Sequence, residues 1–231
     1  MITIGIDTSA VTCSVALAEN GKILYLNSQS NGLTHSQTLL PSVIASLETA
    51  GKTMEDVSLI SVAAGPGSFT GLRIGISTVK GLCVSRNIPV ASVSTLEGLA
   101  TNFRESEGIT VHALMDARRG EFYYARFRIV NHQAERLCED CAATAENIAS
   151  QICPENTVLV GDGALKFTSI YPQFSPLLAK EEFRLQSGAS IALLGERAFL
   201  KGETMDCRKL SPHYLRLPQA EREWQAKQNQ K

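Results

Sequence analysis

Three short stretches carry the residue types that hold phosphates: Asp7-Thr8-Ser9, Gly65-Pro66-Gly67-Ser68 and Gly161-Asp162-Gly163, each at the end of an apolar run. An acid beside a hydroxyl can face a metal and a phosphate. A glycine turn that opens a helix presents bare N–H groups at the positive end of the helix dipole. The central stretch, AAGPGSFTGLRIGISTVKGL from Ala63 to Leu82, nevertheless matches no common nucleotide motif. A P-loop starting at Gly65 needs a glycine where Thr70 stands and a lysine after it, but the next lysine is Lys80. The dinucleotide fingerprint begins with Gly65 and Gly67, but its third glycine, Gly71, arrives one residue late, about 100° further round a helix. Ser68 has no glycine two places before it, so it is not a nucleophile elbow. Two readings of the loop stand, a phosphate-binding turn and a turn that only folds. Asp7 and Ser9 have the same alternative, since short polar side chains satisfy the amides of their own turns.

Metal chemistry finds little support. Cys138-Glu-Asp-Cys141 could be half of a zinc site, but Cys13, Cys83, Cys153 and Cys207 supply no second pair. The scatter of six cysteines reads as reduced thiols. His35, His112, His132 and His213 never fall three or four apart, so no helical histidine clamp exists.

These stretches need strands and helices to position them. Ile2 to Ile6, Cys13 to Leu17 and Lys22 to Leu26 read as strands, with Asn20-Gly21 as a two-residue hairpin turn. Thr34 with Gln37 forms a capping box for a helix that contains Pro41 and stops at Gly51. A strand from Ser58 to Ala64 leads through the glycine turn into a helix from Phe69 to Ser85. A strand from Pro89 to Val93 then completes a βββαβαβ unit, and Ser94 with Glu97 caps another helix. In the second helix Leu72, Ile76, Val79 and Cys83 form one apolar face, while Gly71, Ile74, Thr78, Gly81 and Ser85 form a second, mostly small one. Glycine inside a helix costs about 1 kcal/mol against alanine, so Gly75 and Gly81 call for close approach of another backbone, within the chain or across an interface.

A second unit opens near Thr110. Val111 to Met115 and Phe122 to Val130 read as strands joined by Asp116-Ala-Arg-Arg-Gly120. Thr157 to Val160 is a buried strand before Gly161, and Ala189 to Leu200 is a helix capped by Ser187 and stopped by Gly202. Residues 216–231 are polar, with Trp224 among them as a docking candidate or an exposed tail aromatic. Two successive units of this kind suggest an α/β protein with the duplicated ribonuclease-H-like fold of actin-like ATPases and sugar kinases (ASKHA). Its subdomains are expected at 1–101 and 102–215, followed by a tail at 216–231. With 22 Lys and Arg against 23 acids, net charge −1, no global basic field recruits nucleic acid. The first residues, MITIGIDTSA, lack a basic lead, and no segment has the roughly 20 apolar residues of a membrane span. A cytoplasmic location is expected.

IDTSAVTCSVAL, HSQTLLP, AAGPGSFTGLRIGISTVKGL, VSTLEGLA, MDARRGEFYYA and PHYLR together resemble the bacterial TsaB (YeaZ) family. The likeness spans the chain and is loosest from Leu137 to Leu210. It implies an ASKHA-fold protein without chemistry of its own. Such a protein pairs with the paralogue TsaD, which transfers threonylcarbamoyl from its adenylate to the adenosine beside the anticodon of ANN-decoding tRNAs. TsaE would join as an ATPase, tRNA would be met only through the complex, and the free protein would form a homodimer through the same surface. The catalytic paralogue's His-x-x-x-His is broken here, since Leu39 follows His35 at that spacing. The resemblance implies no cofactor in the isolated chain, while a nucleotide at the partner interface stays open. The helices Thr34 to Ala50 and Phe69 to Ser85 are expected to make the pairing surface, with Leu39 and Val43 as apolar anchors and Gly71, Ile74, Thr78, Gly81 and Ser85 as the close-approach stripe. Asp7, Ser9, Gly65, Gly67, Gly161 and Gly163 would be a degenerate phosphate site. The competing readings are an ATPase or small-molecule kinase of the same fold, and a glycoprotease-like peptidase using Ser68 or a metal.

Overall fold

The structure, a computed structural model, describes residues 1–30 and 32–216; of the polar tail, residues 217–231, Trp224 included, lie outside the described residues. The first half runs β1 (Ile2–Asp7), β2 (Cys13–Glu19), β3 (Lys22–Gln29), α1 (His35–Thr49), β4 (Val57–Gly65), α2 (Phe69–Val84), β5 (Val90–Ser94) and α3 (Thr95–Thr101). Its sheet has the order β3-β2-β1-β4-β5, with β1, β4 and β5 parallel and β1-β2-β3 antiparallel. Asn20 and Gly21 both take positive φ, 50° and 82°, the conformation that matches the twist of a two-residue hairpin. Thr34 and Gln37 form the expected capping box on α1, and Pro41 sits inside the helix.

The second half contains β6 (Thr110–Asp116), β7 (Glu121–Val130), β8 (Gln133–Arg136), β9 (Cys141–Thr144), α4 (Ala145–Ala149), β10 (Thr157–Val160), α5 (Asp162–Ile170), α6 (Glu181–Arg184) and α7 (Gly188–Leu200). Its sheet runs β10-β6-β7-β8, with β9 also paired to β7. Ser187 stands at the N-cap of α7 but its side chain makes no capping bond, a correction to the sequence reading. Gly202 ends that helix region at φ 74°.

Alternation along the strands decides what each sheet face packs against. In the first sheet Ile4, Ile6, Val15, Leu17, Ile60 and Val62 face α1 and α2, meeting Leu39, Val43, Leu47, Ile76 and Val79. The opposite face carries Gly5, Ala16, Ser61 and Ala91, and α7 lies directly on it. A Cβ on Gly5 would collide with the Gly188 carbonyl and the Ala192 amide, and one on Gly195 with Ser61. Ser61 Oγ donates to the Ile191 carbonyl at 2.7 Å, and the Gly188 amide donates to Ser14 Oγ at 2.8 Å. The small residues are what let the helix come this close.

The halves therefore exchange helices. α7 comes from the second half of the sequence and covers the first sheet, while Leu96, Leu99 and Ala100 of α3 pack with Val111, Ala125 and Phe127 of the second. Polar contacts reinforce the exchange. Ser94 Oγ donates to Asp140 at 2.6 Å, and Arg136 pairs with both Asp140 and Glu97. Among the described residues, no helix is long and apolar enough to cross a membrane.

Gly5→Ala forces backbone against backbone and is expected to cost about 3 kcal/mol, the upper end of ordinary overpacking. Gly81, buried in neither core and with nothing within 4 Å of an added Cβ, is its control. Gly81→Ala is expected to stabilise by up to about 1 kcal/mol through helix propensity. Urea unfolding of both variants checks the contrast, and equal effects would rule out the close helix–sheet approach.

Candidate functional site

The first hairpin turn docks on the glycine loop. Ser9 donates to Asp7 Oδ1 through its amide at 2.9 Å and its hydroxyl at 2.6 Å. Its carbonyl then accepts the Ser68 amide at 2.7 Å. Thr8 Oγ1 donates to the Gly71 carbonyl at 2.8 Å. A Cβ on Gly67 would meet Ser9, and one on Gly71 or Gly75 would meet Thr8. Gly65, at φ 134°, lies against the His213 carbonyl, while the His213 amide donates to the Ala64 carbonyl at 2.7 Å. Ser68 Oγ caps α2 by accepting the Gly71 amide at 3.3 Å. The glycines thus admit the chain's own backbone, and the Ser68 and Gly71 amides are already engaged.

Asp7 is 1% exposed. Burial pushes its carboxyl from 3.8 up to about 6; the Ser9 hydroxyl and amide pull the other way, and the charge of Asp162 adds to the rise. The second glycine turn is also self-filled. Gly161, at φ 94°, donates its amide to the Arg184 carbonyl at 2.7 Å, and Gly163 packs on the Met115–Asp116 backbone. Asp162, in the first turn of α5, places its own carboxylate there. Burial raises its pKa first and Asp116's charge adds to this, while nearby amides oppose both. Its Oδ1 is buried with no hydrogen-bond partner.

Between the two turns lies a cleft of about 620 Å³, lined among others by Ser9, Ser68, Arg73, Asp116, Arg118 and Asp162. The segment Ser211 to Arg216 straps its two walls together. Tyr214 stacks on Phe69 with ring centroids 4.2 Å apart and accepts from Arg73 Nε at 2.9 Å. Arg216 Nη1 donates to the Ala117 carbonyl at 2.9 Å, and the same guanidinium pairs with Glu121. Asp116 is paired with Lys166 at 2.8 Å. The cleft thus brings Ser9, Gly67 and Asp162 together, with the acids Asp116 and Asp162 and the arginines Arg73 and Arg118 on the same walls.

The pairing surface divides differently from the sequence reading. Leu39 and Val43 are each 1% exposed and belong to the core, because the row Leu39, Val43, Leu47 faces the sheet, where α1 lies over β2 and β3. They are not outward anchors. One residue further round α1, Leu40 and Ile44 are 46% and 47% exposed. The Glu48 that ends their row, against Leu47 in the other, is the sequence signal that separates the two. Gly71 is buried against Thr8, so it leaves the outward stripe as well. Ile74 and Thr78 are half-buried, and Gly81 and Ser85 are exposed.

Ser68 acts as a helix cap, and His35 Nε2 is hydrogen-bonded to the Ala10 carbonyl at 2.7 Å. Cys138 Sγ accepts the Arg126 amide at 3.1 Å, and Cys141 is exposed. Among the described residues, no group of three or more His, Cys, Asp or Glu side chains is placed to hold a metal ion.

Fold and site together define a class: an α/β protein of the duplicated ribonuclease-H-like, ASKHA architecture whose glycine turns are filled from within. Component A of the Acidaminococcus fermentans (R)-2-hydroxyglutaryl-CoA dehydratase shares this fold at 12% identity and TM-score 0.50, covering 85% of this chain and 98% of that one. YeaZ from Pseudomonas aeruginosa superposes with TM-score 0.81 at 29% identity, over 93% of this chain and 99% of that one. The Bacillus subtilis tRNA threonylcarbamoyladenosine biosynthesis protein TsaB is 31% identical, over 97% of this chain and 98% of its own length. Residues 30–224 match the family model TsaD, tRNA N6-adenosine threonylcarbamoyltransferase. The chain belongs to this TsaD-type family and, within it, to the TsaB (YeaZ) proteins.

A raised carboxyl pKa has a definite sign. Because Asp7 holds its proton more tightly folded than unfolded, its contribution is fully present below about pH 4 and is lost as pH rises through about 6. Asp7→Asn removes that loss. The variant's stability relative to wild type is expected to rise by about 2 kcal/mol between pH 4 and pH 7. Urea unfolding across this range measures the gap, and a constant difference would mean that burial does not perturb Asp7.

Proposed function

We propose that the chain is the non-catalytic partner and activator of the TsaD transferase in forming N6-threonylcarbamoyladenosine in ANN-decoding tRNAs. TsaE acts as the ATPase of the assembly, tRNA is met through the complex, and the free protein self-associates through the surface that TsaD otherwise covers. Full-length likeness to a protein named for this pathway supports the role. The observation that carries the partner reading is the shared face of α1 and α2. There the exposed Leu40 and Ile44 stand on one helix, and Thr78, Gly81 and Ser85 on the other. An exposed apolar pair beside a low-relief stripe suits close helix packing between chains. The filled turns argue against an ATPase or kinase acting alone, since the backbone donors such enzymes turn toward phosphates are engaged inside this chain. A nucleotide held at the partner interface is compatible with the cleft, whose lining includes Arg73 and Arg118.

Thr78→Arg puts a long charged group into the proposed contact. Burying an unpaired charge costs several kcal/mol, enough to dissociate a partner held with about micromolar affinity. Because Thr78 is only half-buried, melting is expected to stay near wild type while co-elution with TsaD on a sizing column is lost. Ile44→Arg is expected to behave alike. Retained co-elution of both variants would remove this face from the interface.

A further inference from the structure

The second sheet carries a polar hollow that the proposed function does not use. On the face shared with α4 and α5, the strand register aligns Thr157, Thr110 and Arg128 in one row and places His112 beside Arg126 in the next. With the loop that follows α4, these residues line a cavity of about 310 Å³. Among the described residues neither guanidinium has an ion-pair partner. Arg128 Nη1 reaches Thr110 Oγ1 at 3.1 Å, and Arg126 Nη1 reaches the Gln151 carbonyl at the long distance of 3.5 Å. Glu155 lines the same cavity and Glu135 stands opposite Arg128 in register, yet neither is paired with these arginines. Arg136, by contrast, finds two carboxylates.

Two further observations point to a missing ligand. Arg126 Nε is buried and makes no hydrogen bond, an arrangement that costs free energy unless an acceptor arrives. His112 is 1% exposed and hydrogen-bonds Tyr124 through Nδ1 at 2.9 Å, which leaves Nε2 without a protein partner. The lining is therefore rich in donors: two guanidinium forks and, with Nδ1 accepting from the Tyr124 hydroxyl, the Nε2–H of His112, while the Thr157 hydroxyl is already spent on the Cys153 carbonyl at 2.6 Å. A tetrahedral oxyanion supplies several acceptors in a small volume and matches the guanidinium fork. We propose that this cavity binds a phosphate group, carried either by a free phosphomonoester or by the backbone of RNA. The inference is independent of the pairing surface, which lies on the first half of the molecule.

NMR of the full chain can test it, following the arginine Nε–H and histidine ring signals during titration at low ionic strength. One arm uses inorganic phosphate, the other a short single-stranded RNA without terminal phosphates. Saturable shifts centred on Arg126 and His112 are expected in at least one arm. Shifts with phosphate alone assign the site to a free phosphate group, and shifts with RNA assign it to the backbone. Arg126→Gln combined with Arg128→Gln is expected to weaken binding about tenfold or more, while Arg86→Gln, which removes an exposed arginine paired with Glu55, leaves it unchanged. If the double variant misfolds, the location of the wild-type shifts still decides. Absence of saturable shifts in both arms, shifts located elsewhere, or equal affinity in a folded double variant would overturn the proposal.

Discussion

Thr8 and Ser9 dock directly on the glycine loop, and much of the first half follows from that contact. The Ser9 carbonyl takes the Ser68 amide, Thr8 fills the notch left by Gly71 and Gly75, and His35 reaches the Ala10 carbonyl from the start of α1. A single turn thereby fixes α1 and α2 against the same strand ends. Larger residues at positions 67, 71 or 75 would push the turn out. The glycines are accounted for by this close approach within the chain, with no ligand needed to explain them.

Electrostatics points the same way. Asp7, Asp116 and Asp162 gather near the base of the cleft, and burial raises the pKa of both Asp7 and Asp162. A bound cation could relieve such a cluster, whereas an anion would add to its cost. Asp162 also occupies the start of α5, where its carboxylate takes the place an anion would have at a helix N-terminus. Of the arginines that line the cleft, Arg73 and the strap's Arg216 are tied to Tyr214 and Ala117, while the Arg118 amide donates to Asp116 at 2.8 Å.

Much of this architecture was legible in the sequence where a local signal was strong. The Asn20-Gly21 turn, the Thr34–Gln37 box and the two-faced pattern of α2 each placed an element, because turn and cap chemistry acts over a few residues. The short elements β8, β9, α4 and α6 left no such trace, since four or five residues are too few to show a period. The Leu39–Leu40 ambiguity has a different origin. Two neighbouring rows of α1 are both apolar for two turns, and which one is buried is decided by the strands beneath it. The docking of α7 was hidden for a similar reason: Gly5, Ala16 and Ser61 announce a close neighbour but do not name it. The polar hollow at Arg126 and Arg128 combines residues from three strands, and only the register brings them together.

The helix exchange bears on how a partner would meet this molecule. With α7 laid across the first sheet and α3 against the second, relative motion of the halves would have to break buried apolar contacts as well as the Ser94–Asp140 and Arg136 contacts. The strap through Tyr214 and Arg216 ties the cleft at its other side. In a protein that closes around a nucleotide, part of the binding energy goes into that closure. Here the turn at Thr8 and Ser9 occupies the loop and the walls are already bridged, so the α1–α2 face is presented in one orientation without a ligand. Under the proposed reading this rigidity favours association, because a preformed surface loses less conformational entropy when another chain docks on it.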